Sequence, residues 1–335
     1  VTVRGVLGLA AAGVLVALVA ADRADVPAAA RALRDAHPVW LSAGAAALLV
    51  WWAAWVLLHA TSRQAAGISG GAAELARLVP LALGAVAVNS AVKSGGLAGV
   101  ALFDGDGRAR SLSRGRVHAG YLLALAFTEV AFLVTLALGV VLARWNGQLT
   151  RGESAAVAVF LVFLVVRGAA LVAAVRSREA LRRTWSVPAR LWDRVRRRPA
   201  RDHDVAAADE FYAAVALLRS RPAAAVVPLV AAVAVDFAGV AMVWTAIGAV
   251  GGGSRPGTAL IAYAVSAVFG IVGVLPGGLG FAEVGVVAVL VSAGTPTGVA
   301  AAAAVVFRVW EFWVPLLVGA PLAWWSRRAQ PVDAS

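Results

Sequence analysis

Apolar runs about as long as a bilayer-crossing helix recur along this chain, and they decide what it can become. They are Val6–Ala21, Val39–His59, Leu78–Val92, His118–Ala143, Ala155–Val175, Ala223–Val250, Thr258–Val274 and Val299–Trp325. A helix needs roughly 20 apolar residues to cross the hydrocarbon core. Only helices and closed barrels satisfy every backbone polar group there, and runs this continuous lack the alternation of a barrel strand. The expected fold class is an all-α polytopic membrane protein, one integral membrane domain with about 8 transmembrane helices. Hydrophobic residues make up 61% of the chain and charged ones 14%, against ~25% charged in an ordinary soluble domain. The first run, behind Arg4, has the outline of a signal peptide, but the many runs after it favour an uncleaved first helix.

One stretch breaks the apolar pattern. Leu275-Pro276-Gly277-Gly278-Leu279-Gly280-Phe281-Ala282-Glu283 separates Thr258–Val274 from a further apolar helix ending near Ser292. Pro276 cannot continue a helix. Gly277, Gly278 and Gly280 permit backbone angles that other residues avoid. Broken backbone at membrane depth is tolerated only where protein buries it or a polar cavity adjoins it. The stretch is therefore either a turn at the headgroup level or a re-entrant, broken-helix element lining a cavity, and the second reading is preferred. A second glycine pair, Gly95-Gly96, leads into Leu97–Phe103, which is too short to span, and then into Asp104-Gly105-Asp106-Gly107, read as a turn.

Seven ionisable groups lie inside or beside the apolar runs: Lys93, Glu129, Arg167, Asp236, Glu283, Arg308 and Glu311. Each costs ~2.5–3.5 kcal/mol at a helix centre on insertion scales, so they should face inward and pair. Arg308 and Glu311, three residues apart, share a helix face. Lys93 sits at the first glycine break and Glu283 just past the second, so the two form one polar site if the breaks meet. For Asp236 a hydrogen bond to a neighbouring helix is the plainer alternative. The candidate substrate-binding residues are Glu283, Arg308, Glu311, Gly277, Gly278, Pro276, Lys93 and Asp236.

The two halves, about 39–143 and 223–325, show signs of a repeat. Gly95 to Glu129 and Gly277 to Glu311 are both offsets of 34. Paired interrupted segments in corresponding halves point to a transporter's binding site, although one shared offset in a Gly- and Ala-rich chain also arises by chance. Between Arg176 and Arg221 lie twelve arginines against six acidic residues. That loop, 176–222, is expected to be cytoplasmic together with the Arg327-Arg328 end, and Trp185–Val195 within it can lie on the membrane surface. The protein is then a multi-pass plasma-membrane protein. Parity leaves one difficulty: with both ends of the second half on one side, the number of crossings between them must be even. The net charge of +12 does not point to nucleic acid, because most of it lies in loops.

Enzyme signatures are absent. There is no His-Glu-x-x-His and no Gly-Lys-Ser/Thr. Gly67-Ile68-Ser69-Gly70-Gly71 matches a nucleophile elbow by letter, but no strand precedes it. With no cysteine there is no Cys-based metal site, and no cofactor is expected.

Leu275–Glu283 is followed by Ala293-Gly294, an alanine-rich span, Arg308, Phe312-Trp313 and Pro315-Leu316-Leu317-Val318-Gly319. This resembles the lysylphosphatidylglycerol synthase-like transmembrane (flippase) family. The specific motif covers about residues 274–320, and the order of spans fits nearly the whole chain. The resemblance implies translocation of a lipid between leaflets. Members carry this membrane region fused to a cytoplasmic synthase, or work beside glycosyltransferases acting on polyprenyl-linked sugars. The chain runs out at Ser335 just past the last span, so a stand-alone membrane domain without the synthase is expected.

Two functions from different classes follow. In the first, a flippase-like transporter, Glu283, Arg308 and Glu311 line a cavity for the headgroup of a membrane lipid, a phospholipid or polyprenyl-linked lipid. Arg308 would meet phosphate and the carboxylates a cationic or hydroxyl-bearing group. In the second, the protein is a non-transporting scaffold or substrate-presenting subunit for a glycosyltransferase or lipid-modifying enzyme. A membrane-embedded transferase with Glu283 or Asp236 as general base is a weaker third.

Overall fold

A computed structural model describes residues 26–145 apart from 93 and 95, a few positions between 161 and 169, and residues 203–328 apart from 254, 273 and 274. The expected first span Val6–Ala21, most of Ala155–Val175 with Arg167, the surface helix Trp185–Val195 and Lys93 lie outside the described residues.

The described residues form helices only: α1 (Val26–Arg34), α2 (Pro38–Ala65), α3 (Ala72–Ala91), α4 (Val100–Ala109), α5 (Arg114–Trp145), α6 (His203–Ser220), α7 (Val226–Ala249), α8 (Pro256–Val272), α9 (Phe281–Ser292), α10 (Thr297–Arg308) and α11 (Val314–Arg328). Five stretches are long and apolar enough to cross a membrane by length and composition: Pro38–Ala65, Ala72–Ala91, Arg114–Leu142, Pro222–Ala249 and Thr297–Ser326. Large apolar side chains such as Leu49, Val50, Val134 and Val230 point outward, a surface suited to lipid rather than water. The protein is polytopic and α-helical, as the apolar runs required. Its main core lies among α2, α7, α9 and α10, where Leu48, Met242, Ile247, Leu290 and Phe307 pack together.

The helix ends show how the chain runs. The His37 N–H donates to the Ala249 carbonyl at 2.8 Å, so α2 starts and α7 finishes at one end of the molecule. At the other end Arg63, near the close of α2, pairs with Glu74 at the start of α3 at 3.1 Å. From there α3 packs antiparallel on α11. A Cβ on Gly319 would lie 2.4 Å from the Leu83 carbonyl oxygen, and one on Gly84 3.0 Å from the Ala323 Cα. Small residues are what let two membrane helices approach this closely. That register puts the start of α3 beside the end of α11, and the end of α3 near the start of α11.

Although α3 has the length of a crossing helix, α4 folds straight back along it. Arg77 Nε donates to Asp106 Oδ1 at 2.6 Å, and Arg110 Nη1 to Glu74 Oε2 at 2.6 Å. The tip of this hairpin is tied by side chains. Gly99 N–H donates to Asn89 Oδ1 at 2.8 Å, Asn89 Nδ2 to the Tyr121 hydroxyl at 2.9 Å, and that hydroxyl to the Gly96 carbonyl at 2.6 Å. The expected turn at Asp104–Gly107 is corrected: these residues are helical, within α4. Their glycines serve packing, since a Cβ on Gly107 would come within 2.6 Å of Val117 in α5, and arginines neutralise both aspartates.

A second hairpin, α8–α9, starts from the opposite end. Its two helices pack on each other, and its tip, Pro276–Gly278, touches α3. The α10–α11 rod runs past it, its two helices joined by a π-helical turn, Val309–Trp313.

Candidate functional site

The tip of the second hairpin takes its form from its glycines. Pro276 opens a single 3-10 turn, and Gly277, Gly278 and Gly280 follow with φ of 62°, 66° and 82°, a region L side chains rarely adopt. Space demands glycine too: a Cβ on Gly277 would lie 2.0 Å from the Phe312 ring, and one on Gly278 2.5 Å from the Gly270 Cα. The chain then enters α9, with Glu283 in the first turn, where the helix N-terminus favours a carboxylate.

Arg308 faces this tip from the end of α10, ~17 Å along the rod from Thr297 at 1.5 Å per residue. Its Nε donates to Glu283 Oε1 at 2.8 Å and its Nη2 to the Gly277 carbonyl at 2.8 Å. Its Nη1 donates to Glu311 in the π-turn. The guanidinium also lies over the Phe312 ring, 4.7 Å from its centroid, a favourable cation–π position. Arg308 and Glu283 are 2% and 4% exposed, whereas the Glu311 side chain is 32% exposed. The group thus has a buried floor and one carboxylate at its opening.

Two features give the cluster chemical meaning. One guanidinium serves two carboxylates, so the group carries a surplus negative charge. Among the described residues no donor meets the buried Glu283 Oε2, and a buried acceptor left alone is costly. A ligand bringing an ammonium would relieve both, and one bringing a hydroxyl would satisfy the acceptor alone.

Of the residues expected at the site, Glu283, Arg308, Glu311 and Gly277 come into direct contact, and Pro276 and Gly278 shape the tip. The pairing of Arg308 with Glu311 along one helix is as the spacing suggested. Asp236, in α7, accepts from the Tyr263 hydroxyl at 2.9 Å and the Thr135 hydroxyl at 3.0 Å, so it is held by the neighbouring helices α8 and α5. Lys93 falls outside the described residues, though both its flanking segments belong to the first tip. Sequence reasoning did not single out Tyr263 or the π-turn, and named Phe312 only as part of the family motif, not as a site residue. Phe312, four residues after Arg308, had a helical-spacing signal; Tyr263 meets Asp236 only through folding.

A second ionic cluster, unforeseen from the sequence, sits at the Arg63 end. Arg63 Nη2 lies 3.1 Å from Glu74 Oε1 and 3.4 Å from Asp106 Oδ2, and Arg77 and Arg110 complete the group. Beside it Arg114 Nη2 pairs with Asp104 Oδ2 at 2.7 Å, and His118 Nε2 is 3.1 Å from Asp104 Oδ1. Burial alone would raise the Asp104 carboxyl, but hydrogen bonds from His118 and Arg114, and their charges, outweigh it and hold the group well below the ordinary carboxylate value. Among the described residues no group of three or more His, Cys, Asp or Glu is arranged to hold a metal ion.

Residues 5–319 match the family model described as Lysylphosphatidylglycerol synthase TM region. No curated protein matches the chain.

Proposed function

The chain belongs to the lysylphosphatidylglycerol synthase TM-region family, and from that premise we propose that it moves a membrane lipid between leaflets, using the Glu283–Arg308–Glu311 cluster to take the headgroup. The observation that carries this reading is the buried Glu283 oxygen, without a donor among the described residues, in a cluster with surplus negative charge at the tip of a glycine-bent hairpin. Three nitrogens of Arg308 are already engaged by protein. Its part is to hold the two carboxylates in place, and theirs is to receive a cationic or hydroxyl-bearing headgroup. A bound headgroup competes with Arg308 for those carboxylates, which loosens the link to the Gly277 carbonyl and frees the tip to move.

The chain is read as one membrane domain built from two inverted halves, with Leu78–Val92 and Thr258–Val274 as hairpin arms rather than crossings. Each half runs long helix, hairpin, long helix: α2, α3–α4 and α5 in the first, α7, α8–α9 and the α10–α11 rod in the second. The hairpins enter from opposite ends, with tips close enough that α3 touches Pro276–Gly278. On this reading a hairpin that returns to its own side adds no crossing, so the 176–222 loop and the C-terminal end belong to one face. Arg63, Arg77, Arg110 and Arg114 gather at that same end, which supports reading it as the cytoplasmic one. No chemical step is assigned to the protein.

Reconstitution tests the reading. Purified protein in liposomes should carry headgroup-labelled lipid across the bilayer, and Glu311→Ala should slow a lipid with a cationic headgroup more than a zwitterionic one. Absence of lipid movement, together with co-purification of a glycosyltransferase or lipid-modifying enzyme, would instead favour a scaffold or substrate-presenting subunit.

A further inference from the structure

The cluster at the Arg63 end has the opposite balance to the one at the hairpin tip. Three arginines, Arg63, Arg77 and Arg110, face two carboxylates, Glu74 and Asp106. All four carboxylate oxygens are engaged by these arginines, so one positive charge is left over. Where it surfaces is set by exposure. The Arg63 side chain is 2% exposed and Asp106 5%, whereas Arg77 is 46% exposed. Only the Nε of Arg77 is bound within the described residues, which leaves its two terminal amino groups free to meet a ligand.

Arg77 opens into a groove of about 420 Å³ between α3, α4 and α11, lined also by Pro80, Leu81, Asp106, Trp325 and Ser326. The groove has an apolar wall and a polar mouth. Trp324 and Trp325 stand exposed at the close of the last apolar helix, and Arg328 lies 3.7 Å over the Trp324 ring. Exposed tryptophans beside arginine at a span's end mark the headgroup layer. From Arg308 to Trp325 the rod rises ~25 Å, so this groove is separate from the cluster at Glu283.

We infer that this groove is a binding site for an anionic phospholipid of the leaflet at the Arg63 end. Its phosphate bridges the two free amino groups of Arg77, Ser326 donates to it or to the ester oxygens, and an acyl chain follows Pro80 and Leu81. Guanidinium groups bind phosphate through paired hydrogen bonds, and a phosphate beside the leftover charge balances the cluster. The lipid ties the α3–α4 hairpin to α11, acting as a resident anchor rather than as cargo. The inference does not depend on transport at Glu283.

Native mass spectrometry of the full chain, released from zwitterionic micelles titrated with phosphatidylglycerol or phosphatidylcholine, tests it. Wild type should hold one phosphatidylglycerol tightly and show no such preference for phosphatidylcholine. Arg77→Gln should weaken that adduct by roughly tenfold or more, the loss expected for a charge-assisted contact. Ala109→Trp, which fills the groove and removes no charge, should do the same. Glu283→Gln should retain the adduct, which separates this site from the proposed transport site. Equal retention of phosphatidylglycerol by wild type and Ala109→Trp, or equal binding of the two lipids by wild type, would overturn the inference.

Discussion

Gly277 and Gly280 share a positive φ but not the same surroundings. At Gly280 nothing lies within 4 Å of where a Cβ would be, whereas at Gly277 it would strike the Phe312 ring. Gly280→Ala should therefore cost only backbone strain, about 1–3 kcal/mol, and Gly277→Ala more, because its Cβ would also displace Phe312, which supports the Arg308 guanidinium. Thermal unfolding of the two variants in one detergent checks the order; equal losses would mean the tip is looser than described. Arg308→Lys should also be damaging. A lysine keeps the charge but cannot reach Glu283, Glu311 and the Gly277 carbonyl as one planar fork. Breaking a buried pair costs about 3–5 kcal/mol, which should appear as a marked fall in unfolding temperature. The charged members of this site were legible in the sequence because ionisable residues in apolar runs are conspicuous. The bound state of Asp236 was half legible: a partner was required, but Tyr263 and Thr135 lie 27 and 101 positions away, and nothing local announces them.

At the scale of elements, the α3–α4 hairpin depends on ion pairs at one end and on small residues along its side. The depressed Asp104 carboxyl fixes the sign of its acid response. A group held lower in the folded state contributes stability above its unfolded value, about 3.8, and loses it as pH falls through the folded value. Unfolding temperature should drop as pH is lowered from about 5 into the range below 4, and Asp104→Asn should flatten that slope. Along the side, Gly319→Val would place a branched side chain against the Leu83 carbonyl, which a Cβ alone already meets at 2.4 Å. It should push α11 from α3 and lower the yield of folded protein, with Gly319→Ala intermediate. The misread turn at Asp104–Gly107 teaches the same physics: two Asp-Gly pairs look like a turn by propensity, but packing against α5 and pairing with arginines override propensity. The π-turn at Val309–Trp313 had no sequence mark at all, since its letters continue an ordinary apolar helix.

Across the whole molecule, membrane class and helical content were readable from the length of the apolar runs alone. The topology was not, because length does not say whether a helix crosses or turns back. Leu78–Val92 lies in a helix long and apolar enough to cross; the ion pairs of α4 with the start of α3, and the meeting of Pro276–Gly278 with the middle of the rod, are what support the hairpin reading proposed above. In the proposed reading neither hairpin crosses, and that removes the parity difficulty. The most direct measurement is lipid movement in liposomes by wild type beside Glu283→Gln, with both proteins matched for folded content by thermal unfolding. Wild type should carry labelled lipid between leaflets, and the folded Glu283→Gln protein should fall to the rate of empty liposomes. Equal movement by the two would mean the cluster at the hairpin tip does not take the headgroup.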